Sequence, residues 1–84
     1  MRDPERIDDV LDLIDQIWRR YPDLRFQQLM FNLQSEYSQQ NDGVGRVERV
    51  EEDGFTKVGY DLFNLEDDVF TQFLREKAKS GFGG

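Results

Sequence analysis

Residues 7–33, IDDVLDLIDQIWRRYPDLRFQQLMFNL, decide the fold, because they hold the densest apolar periodicity of the 84-residue chain. Two apolar stripes with helical spacing lie on either side of Pro22 and Asp23. The residue before a proline avoids the α region, so Tyr21 should end the first helix. Because the link is so short, the two helices are predicted to run antiparallel as a helical hairpin.

The first predicted helix begins at Asp3 and Pro4, a capping residue followed by a proline that suits the first helical position. Its apolar side chains fall on one arc of roughly 120°, which predicts a buried face. That face comprises Ile7, Val10, Leu11, Ile14, Ile17, Trp18 and Tyr21. On such a face a core role is favoured for Trp18 over stacking on a ligand, and the same holds for Tyr21. The opposite arc carries Glu5, Asp8, Asp12 and Asp15, followed by Arg19.

The second predicted helix runs from residue 24 to residue 35 or 37, with Asp23 as its cap. Its inner stripe comprises Phe26, Leu29, Met30, Leu33 and Tyr37. Phe31 is the apolar residue of this helix that we expect nearest the surface.

Residues 38–60 differ from what precedes them, since they are charged, rich in turn residues and poor in large apolar side chains. Short β-compatible runs flank an Asp-Gly turn signal, and a β-hairpin built on that turn would pair Val47 with Tyr60 and Arg49 with Val58. A mobile loop and a short helix remain open as alternatives for this segment. In all three cases the segment is predicted to be an insertion between the second and third helices.

The third predicted helix begins near Asn64, a capping residue, and stops at Gly81. Its apolar face comprises Leu65, Val69, Phe70, Phe73 and Leu74, and Lys77 and Lys79 lie near its end. Residues 81–84 are predicted to form a frayed tail. The fold class is therefore mainly α, a single small domain over residues 1–84 with three helices and a possible β-hairpin between the second and third.

Composition excludes several kinds of function. The chain has no Cys and no His, which removes thiol chemistry, the commonest general base and the commonest transition-metal ligands. Its formal net charge of −7 argues against direct binding to nucleic acid or to an anionic membrane surface. It has no apolar run long enough for a membrane span, and a charged start unlike a signal peptide, so the expected location is the cytoplasm.

Two blocks of the sequence resemble a family of small uncharacterised bacterial and phage proteins. The block YPDLRFQQLM at residues 21–30 is similar to the family's YPDLRLGQLI, and DLFNLEDDVF at residues 61–70 is similar to its DLFYIEDDEL. More distantly, the chain resembles the enterobacterial YihD family. Asn64 departs from the pattern, because the family has Tyr at that position. The resemblance implies a small, mostly helical fold and no particular activity.

A group of carboxylates near the start of the third helix, Asp61, Glu66, Asp67 and Asp68, has two interpretations. It could hold Mg²⁺ or Ca²⁺, but acidic residues at a helix start are stabilised by the helix dipole without any metal. We therefore expect no metal site. Arg25 lies near a helix start, where a cation is not favoured, so we predict a structural ion pair with Asp61, Glu66 or Asp67. Anion binding by Arg25 is the functional alternative.

The absence of catalytic residue types and the surplus of aromatic residues favour a non-enzymatic protein-interaction module with no cofactor. The acidic arc of Glu5, Asp8, Asp12 and Asp15 is the predicted partner-binding surface. A second hypothesis is an acidic phage or prophage inhibitor that mimics nucleic acid and acts on a host nucleic-acid-binding protein, in the host cytoplasm. If the acidic arc is not the site, the aromatic residues Phe31, Phe55 and Phe82 are the next candidates.

Overall fold

The computed structural model describes residues 2–82. Its elements are α1 (Glu5–Arg20), α2 (Phe26–Gln40), β1 (Arg46–Val50), β2 (Thr56–Tyr60) and α3 (Asp67–Ser80). This order confirms the predicted fold class, three helices with a two-stranded antiparallel hairpin between α2 and α3. Within residues 2–82, no helix is both long enough and apolar enough to cross a membrane.

The contacts divide the chain into two compact units. The α1/α3 unit runs up to Arg25 and resumes at Asn64, and the α2/hairpin unit is Phe26–Phe63. The prediction of a single domain concerns both units together and stays a prediction. Each unit is described separately below.

The start of α1 follows the sequence prediction. Pro4 already has helical dihedral angles, and the Asp3 carboxylate accepts a hydrogen bond from the Glu5 N–H at 2.9 Å. Asp3 therefore satisfies one of the free N–H groups at the helix start. Acidic side chains in this first turn also suit the positive end of the helix dipole.

The chain leaves α1 through a reverse turn, in which the Leu24 N–H donates to the Tyr21 carbonyl at 3.1 Å. Pro22 occupies the second position of this turn, where its fixed φ is favourable. Because the turn uses residues 21–24, α2 begins at Phe26 and not at residue 24. Asp23 lies inside the turn, so the predicted helix cap at Asp23 is wrong.

In the α1/α3 unit the two helices pack together through a narrow core. Ile17 and Leu74 are fully buried, and Phe73 is nearly so. Ile7 and Leu11 are exposed, which corrects the prediction that they belong to the buried face. The apolar arc of α1 is wider than the strip that one neighbouring helix covers, so its outer edge stays in solvent.

Helix α3 begins at Asp67, and Glu66 with its extended backbone occupies the cap position, so the cap lies two residues later than the predicted cap at Asn64. Val69 is exposed, contrary to prediction, whereas Lys77 is buried with its ammonium 5.7 Å from the centre of the Phe73 ring. The buried stripe is therefore centred on Phe73, Leu74 and Lys77. The aliphatic stem of a lysine can fill such a position.

The end of α3 is held by residues from the end of α1. The Arg20 guanidinium donates to the Ala78 carbonyl at 2.9 Å and to the Lys79 carbonyl at 3.1 Å. The Phe82 N–H donates to the Tyr21 hydroxyl at 2.9 Å, and the two rings lie 5.1 Å apart. These contacts correct the frayed-tail prediction at residues 81 and 82. The rest of that predicted tail, residues 83 and 84, lies outside the described residues.

Gly81 ends α3 as predicted, with a φ of 74°. A Cβ at this position would collide with the Tyr21 hydroxyl and approach the Arg20 guanidinium to 3.3 Å. The position therefore requires glycine for two reasons, the backbone conformation and the close approach of Tyr21.

The hairpin of the α2/hairpin unit is present, but its register differs from the prediction by one residue. Arg46 pairs with Tyr60 and Val47 with Gly59, whereas the sequence predicted Val47 opposite Tyr60. The loop is longer than the two-residue turn assumed, since the Glu51 N–H donates to the Phe55 carbonyl and Gly54 has a φ of 84°. A turn followed by a glycine with positive φ is a common three-residue hairpin loop.

One end of β2 packs on α2. Tyr60 makes an edge contact with Phe31 at 5.4 Å between ring centres, and its hydroxyl lies 3.0 Å from the Ser35 hydroxyl. In α2 the buried apolar residues are Leu29, Leu33 and Tyr37, as predicted. Phe26, the first residue of the helix and also predicted to face inward, is exposed. Phe31 is 45% exposed, as expected.

Candidate functional site on the outer side of α1

The acidic arc of α1 is in solvent, because its four members Glu5, Asp8, Asp12 and Asp15 are all exposed. Asp15 forms an ion pair with Arg19, one helical turn away, at 2.8 Å. The described part of the chain gives Asp8 and Asp12 no ion pair. The negative charge of this surface is therefore concentrated in the first three turns of the helix.

An exposed apolar edge runs beside the acidic arc. Ile7 is 51% exposed, Leu11 is 59% exposed, and Trp18 is half-buried. At 3.6 residues per turn these three residues lie within about 40° of each other around the helix. The rise of the helix spaces Ile7 and Trp18 by about 17 Å. We call these three residues the apolar edge.

Each end of the apolar edge has a shallow surface depression. One, of about 150 Å³, is lined by Arg6, Ile7, Val10, Leu11 and Asp67. The other, of about 360 Å³, is lined by Asp15, Trp18, Arg19 and Pro22. Both combine apolar walls with an ion pair, Arg6 with Asp67 in the first and Arg19 with Asp15 in the second. The depressions therefore offer apolar surface, whereas the carboxylates of α1 that form no ion pair within the described residues lie outside them.

Trp18 is held in place by a hydrogen bond from its indole N–H to the Leu24 carbonyl at 2.8 Å. The reverse turn after α1 therefore fixes the orientation of the ring. One side of the ring contributes to the larger depression, so Trp18 is both a packing residue and part of an accessible surface.

The carboxylates near the start of α3 take part in ion pairs and hydrogen bonds within the protein. Glu66 pairs with Arg2 at 3.0 Å and Asp67 with Arg6 at 2.8 Å. The Asp61 carboxylate accepts from the Phe63 N–H at 3.1 Å. Nowhere in residues 2–82 do three or more acidic side chains lie close enough together to hold a metal ion.

The arginines bound to Glu66 and Asp67 come from the start of the chain, and sequence reasoning missed them. The signal was present, because two arginines four residues apart in the sequence, Arg2 and Arg6, match these two neighbouring acids. The predicted ion pair of Arg25 with Asp61, Glu66 or Asp67 stays a prediction.

The aromatic alternatives differ in their surroundings. Phe55 is 75% exposed, and Phe31 is partly covered by Tyr60. Phe82 packs against Tyr21 and is therefore not a free aromatic surface. Phe63, which the sequence did not single out, is 91% exposed.

Comparison with protein-family models, with curated proteins and with solved structures gave no match. The resemblance of the two sequence blocks to a family of small uncharacterised bacterial and phage proteins stays a prediction, and so does the more distant resemblance to the YihD family.

Proposed function

We propose that this chain is a non-enzymatic protein-interaction module that binds a basic amphipathic helix of a partner protein along α1. The observation that supports this most strongly is the apolar edge of Ile7, Leu11 and Trp18 beside the acidic arc. Amphipathic helices bind grooves and faces through apolar anchors at helical spacing. The setting proposed is the cytoplasm, of the host cell if the chain is phage-encoded.

The exposed apolar side chains determine what kind of partner fits. Ile7 and Leu11 lie one turn apart, so a partner helix could cover both with apolar residues of the same spacing. Covering them would remove apolar surface from water, which is favourable by about 25 cal/mol per Å². A purely polar partner helix would not gain this free energy of apolar burial.

The carboxylates determine the sign of the charge that the partner helix should carry. Asp8 and Asp12 lie next to the apolar edge, and neither is neutralised by an ion pair in the described residues. Lys or Arg flanking the apolar stripe of the partner helix would meet these carboxylates. Such complementarity speeds association and excludes acidic partners.

The second candidate is an inhibitor that mimics nucleic acid, and the exposure of Glu5, Asp8 and Asp12 supports it. A mimic of phosphates would rely on charge, so its binding should weaken steeply as salt rises. Binding that also buries Ile7 and Leu11 should retain much of its strength at high salt. The apolar edge therefore favours the first candidate.

The experiment uses a synthetic amphipathic peptide of about 18 residues built from Leu and Lys, long enough to form helix on binding. Trp18 is the only tryptophan, and it lines the surface, so its fluorescence reports binding directly. We expect saturable binding of this peptide. A peptide of the same pattern with Glu in place of Lys should not bind.

The matched variants separate the two parts of the surface. Ile7→Ser with Leu11→Ser should weaken binding of the Leu/Lys peptide by about tenfold or more, since two apolar anchors are lost. Val50→Ser, at an exposed apolar residue of the hairpin, should leave binding unchanged. Equal binding by both variants at high salt would refute the proposal. Loss of all binding with salt, regardless of Ile7 and Leu11, would favour the mimic.

A further inference from the structure

The hairpin has an open edge, the outer side of β1. Hydrogen bonds between the strands join Glu51 to Phe55 and Gly45 to Asp61, at 2.9 and 2.7 Å. Because bonded and non-bonded pairs alternate along an antiparallel ladder, Arg46, Glu48 and Val50 direct their backbone groups away from β2. All residues of β1 are exposed.

The contact of the hairpin with α2 is made mainly by β2. Helix α2 contacts β2, through Tyr60 and its neighbours, and so covers the other strand. A two-stranded sheet is marginally stable alone, and a third or fourth strand would stabilise it. The open edge of β1 therefore offers an added strand the outward N–H of Glu48 and the outward carbonyl of Arg46.

The side chains of β1 indicate which strand fits. Arg46 and Glu48 point to the same face and form an ion pair of 2.6 Å within the strand. If a second β1 lies antiparallel with Val47 opposite Val47, Arg46 of each strand faces Glu48 of the other. Opposite charges directly across a sheet attract, whereas like charges repel. The edge is therefore complementary to a second copy of itself in this register.

The same register matches the free backbone groups. The Glu48 N–H of each copy would donate to the Arg46 carbonyl of the other, which gives two equivalent hydrogen bonds. The Arg46 N–H already donates to the Gly43 carbonyl at 3.1 Å and is not needed. Shifting the pairing so that Glu48 faces Glu48 would set like charges opposite each other. Charge thus selects one register.

We propose that two copies of this chain associate through β1 as a symmetric dimer, in which the two hairpins form one four-stranded antiparallel sheet. The interface is the same patch on both copies, as a two-fold axis requires. Charged side chains on an edge strand disfavour pairing with most other strands, and here they favour pairing with a second copy of β1. This inference uses the hairpin alone and does not depend on the binding surface of α1.

The first test is the mass in solution by sedimentation equilibrium, from about 10 μM to about 1 mM protein. The monomer has a mass of 10.0 kDa, and we expect the measured mass to rise toward twice that value with concentration. A mass that stays at the monomer value throughout would overturn the proposal.

The second test removes the backbone N–H of Glu48 together with its carboxylate. Glu48→Pro deletes an N–H that points away from β2, where proline is tolerated in an edge strand. We expect it to weaken dimerisation by about tenfold or more. Thr56→Pro removes the equivalent outward N–H from β2 and should leave the dimer intact. Equal dimerisation by wild type and Glu48→Pro would contradict the inference.

The third test reverses charges at the edge and does not depend on whether Glu48→Pro folds. Arg46→Glu makes the edge wholly negative and Glu48→Arg makes it wholly positive, so each alone should be monomeric. Mixed together, they should form a heterodimer. In the mixture each chain still lacks an ion pair between its own residues 46 and 48, and each chain keeps a net negative charge. Association of the two variants would therefore come from attraction between opposite charges across the β1 edge.

The control mixture combines Arg46→Glu with Glu52→Arg, which makes the same charge change at an exposed loop residue. This mixture should form no heterodimer. Heterodimers in both mixtures would mean nonspecific attraction, and heterodimers in neither would rule out the β1 edge.

Discussion

The α1/α3 unit and the α2/hairpin unit are held by contacts of different reach along the chain. Arg6 bonds Asp67, and Tyr21 bonds Phe82, each across 61 residues. In the hairpin, the Glu51 N–H bonds the Phe55 carbonyl only four residues away. Long-range contacts need the loop between them to close first, whereas local contacts form at little entropic cost.

Burial separates the helices of both units from the hairpin. The α1/α3 unit has fully buried side chains at Ile17 and Leu74, and α2 has them at Leu29 and Leu33, but every residue of β1 is exposed. Stability from burial should therefore be concentrated in the helices. The hairpin depends on its loop, its backbone hydrogen bonds and the contact of Tyr60 with α2. Four predictions test this contrast.

The largest effect is expected from truncating a core side chain. Leu74→Ala should lower the free energy of unfolding by about 2–5 kcal/mol, because it empties a fully buried site. Val50→Ala, in the exposed β1, should change it by no more than about 0.5 kcal/mol. Urea melts of both variants measure these values. Similar losses for both would mean that the hairpin is as tightly packed as the helices.

The next largest difference is expected in amide exchange, between α1 and the hairpin. The turn-rich, charged composition of residues 39–54 predicts that they are the most mobile internal part of the chain. We expect protection in α1 to exceed that in β1 by about 100-fold, or about 2.8 kcal/mol. Measurement at low protein concentration avoids any protection from dimerisation. Equal protection would contradict the mobility prediction.

Two glycines with positive φ, Gly81 and Gly54, allow a matched comparison in which a smaller loss of stability is expected. Alanine at Gly81 or at Gly54 should cost about 1–3 kcal/mol through the backbone conformation alone. Gly81→Ala should cost more, since its Cβ meets the Tyr21 hydroxyl, whereas a Cβ at Gly54 meets nothing within 4 Å. Thermal melts give both values.

The double variant Gly81→Ala with Tyr21→Phe isolates that contact. Removing the hydroxyl should make the alanine cost less than it does beside the intact tyrosine. If the two single costs simply add, the hydroxyl does not limit residue 81.

The smallest effect is expected from the ion pair between Arg6 and Asp67, which is exposed on both sides. Arg6→Ala should cost about 0.2–1 kcal/mol, and less at high salt. Arg49→Ala, on the hairpin, serves as the control and should cost nothing measurable. A cost for Arg6→Ala that is unchanged by salt would point to lost packing of its stem.

The candidate site could be predicted only in part from the sequence. The acidic arc follows from residue type and helical spacing, since charged side chains seldom lie in a core. The exposure of Ile7 and Leu11 could not be predicted in this way. Periodicity locates an apolar arc, but how much of that arc a neighbouring helix covers depends on where the neighbour packs.

The sequence by itself determined the three helices and the stop at Gly81, because these depend on local periodicity and backbone freedom. For residues 38–60 it left a hairpin, a mobile loop and a short helix open, and the structure has the hairpin. The sequence failed on the hairpin register, since Asp53 and Gly54 fit both a two-residue and a three-residue loop. Only the tertiary structure decided the partners of Arg6, Arg20 and Tyr21. Those partners lie about 60 residues away, and no local pattern specifies which distant group a side chain meets.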